Sequence, residues 1–80
     1  METITVAVVE DLDEIRNALK VLIGGSEGFR CEHAFANGED ALRELPSIKP
    51  DVVLMDINMP DKNGIECVTE LKVKMPLTQF

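Results

Sequence analysis

The sequence predicts an α/β domain built on a parallel sheet, on three observations. Short apolar, β-branched runs stand at 4–9 and 51–55 with a nearly alternating stretch at 29–35 between them; each is followed by apolar residues three or four apart; and the first and third segments end in acidic loops. Continuous apolar runs fit strands buried on both faces, and regular strand-helix alternation fits right-handed crossovers with helices on both sides of the sheet. At 45% hydrophobic and 29% charged residues, the composition is that of a soluble globular domain.

The first strand is predicted over Ile4 to Val9. Ile15, Leu19, Leu22 and Ile23 then recur at helical spacing, Asp11 and Glu14 stand in a cap-like arrangement, and Gly24-Gly25 closes the helix. From Phe29 to Phe35 polar and apolar residues nearly alternate, with Phe29, Cys31, His33 and Phe35 on one side, which predicts an outer strand. Asn37-Gly38 turns into a short second helix that buries Ala41, Leu42 and Leu45 and is expected to stop at Pro46. Asp51 to Met55 is the third strand, Ile65, Val68, Leu71 and Met75 mark a third helix ended by Pro76, and Leu77 to Phe80 open a fourth strand.

In a flavodoxin-like order, 2-1-3, the first and third strands are neighbours, and ligands bind beyond their carboxyl ends. Glu10 and Asp11 follow the first strand and Asp56 follows the third, so all three carboxylates are expected at one crevice. Taken singly, strand-end acids are usually turn or cap residues. Three that converge repel one another unless their pKa values rise or a cation neutralises them, and oxygen-only ligands suit a hard ion such as Mg²⁺. An ionised aspartate beside that ion is a usable nucleophile toward phosphorus.

These residues carry a resemblance. Through VAVVED at Val6 to Asp11 and DVVLMDINMPDKNG at Asp51 to Gly64, the chain resembles the bacterial response-regulator receiver family of two-component phosphorelays along essentially its whole length. The resemblance implies that Asp56 accepts a phosphoryl group from a sensor histidine kinase. It also implies that Asp11 and Asp56 ligate Mg²⁺ through side chains, Asn58 through its backbone carbonyl and Glu10 through bound water. Met59-Pro60 and Gly64 would shape the loop without touching phosphorus. Asp56 to Gly64 does not meet EF-hand spacing, and a haloacid-dehalogenase-type phosphatase would need a second aspartate that the motif lacks.

Other features exclude function classes. A net charge of −7 argues against direct nucleic-acid or anionic-membrane binding. No apolar run approaches the roughly 20 residues of a membrane span, so a cytoplasmic protein is expected. Cys31 and Cys67 form no metal-binding pair and read as buried thiols; His33 has no ligating partners and reads as structural; Met55, Met59 and Met75 read as packing residues.

The family has five strand-helix units, so residues 1–80 are expected to be a partial receiver of three units. The downstream Thr or Ser and Lys that complete the family's site would lie beyond it. Such a chain is expected to be a phosphoacceptor with only self-phosphorylation and autodephosphorylation, switching an output domain, commonly a DNA-binding helix-turn-helix transcriptional regulator. An uncovered third strand, Val52 to Met55, further predicts a homodimer or a segment-exchanged dimer. The alternatives are a dimerising interaction module without phosphotransfer and, more remotely, a small phosphatase. The face near Arg16, Asn17 and Lys20 is the expected kinase-docking surface.

Overall fold

The structure, a computed structural model, is described for residues 3–57, 59 and 64–80. The elements are β1 (Ile4–Val9), α1 (Asp13–Gly24), β2 (Phe29–Phe35), α2 (Gly38–Ile48), β3 (Val52–Met55) and α3 (Gly64–Lys74). The strands form one parallel sheet in the order β2-β1-β3. The central position of β1 explains its uninterrupted apolar run, since Val6 to Val9 are covered on both faces.

On one face, Ala7, Val9, Phe35 and Val53 pack with Ala41 and Leu45 of α2 and Cys67 and Leu71 of α3; Met59 and Met75 complete this core and Met55 packs against it. Leu45 has no exposed surface. Leu45→Ala is therefore expected to destabilise the chain by about 3 kcal/mol, read as a lower urea midpoint at an unchanged slope. On the other face α1 lies against β1 and β2. It buries no residue fully: Ile15 and Leu22 keep 45% and 67% of their surface exposed.

The far end of the sheet sets the register. The Thr5 amide and hydroxyl donate to Asp51 Oδ2 at 2.9 and 3.1 Å, and the Asp51 amide donates back to Thr5 Oγ1 at 3.0 Å. This reciprocal clasp starts β3 in register with β1, so that Val6 faces Val52 and Val9 faces Met55. The residues that follow the two strands, Glu10 and Asp56, consequently emerge side by side.

Four local expectations are corrected. Pro46 does not stop α2, which runs to Ile48 and closes on Lys49 in the left-handed region (φ 51°), its amide donating to the Leu45 carbonyl at 2.8 Å. Proline removes one amide and crowds the turn before it, but leaves the amides after it able to finish the last turn. Asp11 and Glu14 do not cap α1: its N-cap is Leu12, with no side-chain cap, because Asp11 turns toward Glu10 and Asp56 instead. In β2 the alternation is split by a register shift: Thr5 pairs with Arg30 but Ala7 with His33. Phe35 thus joins the core under α2 and α3, Cys31 is buried near Lys20 of α1, and Phe29 and His33 are exposed. Finally, the outer edge of β3 is not wholly open, since Gln79 bridges Val52 in parallel and exchanges backbone bonds of 2.8 and 2.9 Å with Val53 and Asp51. This is the start of the expected fourth strand.

Candidate functional site

The carboxyl ends of β1 and β3 are tied together before the loops begin. The Asp56 amide donates to the Val9 carbonyl at 2.9 Å and the Glu10 amide to the Phe35 carbonyl at 3.0 Å, so the sheet's hydrogen bonding continues to the acidic residues themselves. Glu10, Asp11 and Asp56 each offer a carboxylate oxygen within 4.8 Å of the others, and all three are half-buried. Among the described residues this is the one group of three or more acidic, histidine or cysteine side chains able to share an ion. His33 and both cysteines lie outside it. Cys31 and Cys67 are buried, as expected, and burial pushes the Cys31 thiol up, away from reactivity.

Desolvation by burial raises the Glu10 carboxyl above its ordinary range, and the Asp11 and Asp56 side chains add to the rise; the Leu12 amide, 3.3 Å from Glu10 Oε2, opposes it. For an acid with a raised folded pKa, the folded chain holds its proton more tightly than the unfolded one. The associated stability is present in acid and is lost as pH rises through the raised value. A divalent ion held by the three carboxylates would reverse that loss. Mg²⁺ is therefore expected to raise the melting temperature clearly at about pH 7 and hardly at all at about pH 3.5, below the raised range of Glu10. An equal shift at both values, by scanning calorimetry, would contradict the site.

Two residues next to the carboxylates shape the loops. A Cβ on Gly64 would overlap the Asp56 carbonyl oxygen and lie 2.8 Å from Ile57 Cα, while the Gly64 amide donates to the Ile57 carbonyl at 2.9 Å. The glycine thus permits close approach of two backbones, as the sequence predicts for an obstructed turn. Arg16, read from sequence as part of an exposed face, is instead folded back: Nη1 donates to the Glu10 carbonyl at 3.0 Å, Nη2 pairs with Asp13, and 17% of the side chain is exposed. A bond to a backbone carbonyl leaves no pattern in side-chain spacing, which is why sequence reasoning missed it. Asn58 and Pro60 lie outside the described residues, and so does the expected carbonyl ligand.

A parallel sheet whose adjacent strands 1 and 3 end in three converging carboxylates defines a class of protein: an α/β domain with an acidic crevice suited to a hard divalent cation. Residues 6–79 match the family model described as response regulator receiver domain. The chain belongs to that family. It is similar to the response regulator domain of Thermotoga maritima CheB, with 35% identity and a TM-score of 0.88 over 94% of this chain and 56% of that one. It is 36% identical to the protein-glutamate methylesterase/protein-glutamine glutaminase of Treponema denticola over 96% of this chain and 22% of the relative. It also resembles a chain of the solved complex of the histidine kinase ThkA with the response regulator protein TrrA, at 34% identity and a TM-score of 0.81 over 95% of this chain and 64% of that one. The chain thus spans little more than half of such solved relatives and about a fifth of the methylesterase.

Proposed function

We propose that this receiver is a Mg²⁺-dependent phosphoacceptor and that Asp56 takes the phosphoryl group. The observation that carries the reading is the meeting of Glu10, Asp11 and Asp56 within 4.8 Å in a chain of the receiver family. Three half-buried oxygen donors with a raised Glu10 pKa have the chemistry a hard cation requires. Glu10, Asp11 and Asp56 would hold it, with the Asn58 carbonyl as a further ligand, and when bound it neutralises the cluster and the charge of an incoming phosphate. An Asp56 carboxylate oxygen then forms the new bond to phosphorus while the bond from phosphorus to the donor's imidazole nitrogen breaks and the imidazole leaves. Gly64 keeps the Asp56 loop close to α3, and the clasp of Thr5 with Asp51 holds β3 beside β1.

A sensor histidine kinase is the proposed donor, supported by the similarity to the chain solved with a kinase. The whole protein would act in the cytoplasm through an output domain; a transcriptional one is the family's common form, and the methylesterase relative supports an enzymatic output beside it. Incubation of the complete receiver domain with acetyl phosphate and Mg²⁺ followed by mass spectrometry tests the reading: one phosphoryl group should be gained, and no gain would refute it.

One observation favours a second reading, a dimerising interaction module. Ile15, Leu22 and Leu54, on or facing the α1 side, remain 45%, 67% and 41% exposed. Residues of this size left uncovered favour a homodimer or segment exchange. Sedimentation should then show a dimer at micromolar concentration; a well-folded monomer would exclude it.

A further inference from the structure

We propose that Arg16 is a positioning residue for the acidic pair, an inference that rests on reading Glu10, Asp11 and Asp56 as a Mg²⁺ site. Both backbone polar groups of Glu10 are held: its amide by the Phe35 carbonyl at 3.0 Å and its carbonyl by Arg16 Nη1 at 3.0 Å. The Glu10 carbonyl lies in the same rigid plane as the Asp11 amide, so whatever grips that oxygen orients the peptide on which Asp11 is mounted. Asp11 therefore owes its direction toward the crevice to a side chain one turn into α1.

Among the described residues no other side chain donates to the Glu10 carbonyl. α1 has no side-chain cap at Leu12, and the Leu12 amide reaches Glu10 Oε2 only at 3.3 Å. The second arm of the Arg16 fork forms an ion pair with Asp13, whose side chain is 80% exposed, while the Arg16 side chain as a whole is 17% exposed. A planar fork can hold a carbonyl and a carboxylate at once; a single ammonium cannot hold both with the same geometry. The guanidinium also places positive charge beside the loop that carries two of the three carboxylates.

The test is Mg²⁺ titration of the chain and its variants, followed by the change in intrinsic phenylalanine or NMR amide signals, with circular dichroism and melting temperature recorded alongside. Arg16→Gln should weaken Mg²⁺ about tenfold, the usual effect of losing a group that orients a ligand, in a chain that still shows the parent's secondary structure. Arg16→Lys, which keeps one donor for the Glu10 carbonyl, should fall between the two. Asp13→Ala, which removes the exposed ion pair alone, should change the affinity by less than about twofold, the modest effect of a surface pair. A role in stability only would lower the melting temperature of Arg16→Gln and Arg16→Lys with affinity unchanged, and that result overturns the proposal. So does an Asp13→Ala loss as large as that of Arg16→Gln. Failure of the parent chain to bind Mg²⁺ would sink the metal-site reading itself, and normal parent binding with an unaffected Arg16→Gln would sink this inference alone.

Discussion

Asp56→Asn should take up no phosphoryl group from acetyl phosphate and Mg²⁺, under conditions in which the parent is modified. The substitution is nearly isosteric, but an amide oxygen is a far weaker nucleophile than a carboxylate and the new NH₂ group cannot ligate a cation. The fold should survive, because the Asp56 contact that closes the sheet is its backbone amide on the Val9 carbonyl, which asparagine retains. One negative charge fewer also relieves the crowding that raises Glu10. The melting temperature without metal should therefore be equal or slightly higher, and the gain on adding Mg²⁺ smaller. Intact-mass spectrometry and calorimetry on the same samples check both halves. An undiminished phosphoryl gain in the variant would move the acceptor to another residue.

Gly64→Ala should destabilise the chain by about 3 kcal/mol, a large share of the stability of a small domain. The added methyl would overlap the Asp56 carbonyl oxygen and sit 2.8 Å from Ile57 Cα. Both neighbours are backbone, so neither can swing aside as a flexible side chain would. Either the start of α3 lifts away, loosening Cys67 and Leu71 in the core, or the segment after β3 moves and takes the Asp56 carboxylate with it. The two outcomes differ in their readouts: the first lowers the urea midpoint with Mg²⁺ affinity largely kept, the second lowers both. A variant as stable as the parent, binding Mg²⁺ equally well, would show that the close approach is not required.

The order of the sheet and the site it builds were legible in the residues because both depend on strong, local signals. The run from Ile4 to Val9 is apolar at every position but Thr5, as a central parallel strand must be, and acidic residues directly after β1 and β3 can only meet if those strands are neighbours. What was not legible depends on tertiary balance. The face of His33 follows from a register shift between the Thr5 and Ala7 pairings, which leaves no mark in the sequence of β2. Pro46 is tolerated because the helix needs only the amides beyond it to finish. Asp11 is a good capping residue by type, but the crevice claims its carboxylate, and a carbonyl held by Arg16 shapes that loop in place of a cap. The helical spacing of Ile15, Leu19, Leu22 and Ile23 identified an amphipathic helix correctly, yet periodicity says which residues seek cover and not how much cover this chain supplies.

The proposed shared cation is best tested by diffraction from crystals grown with Mn²⁺, a ligand-compatible substitute for Mg²⁺ whose anomalous signal marks its position. One peak should lie in the crevice within direct bonding distance of the Asp11 and Asp56 carboxylates, with Glu10 close by. A map without a peak there, or with the Asp56 side chain turned to the opposite rim from Glu10 and Asp11, would contradict it.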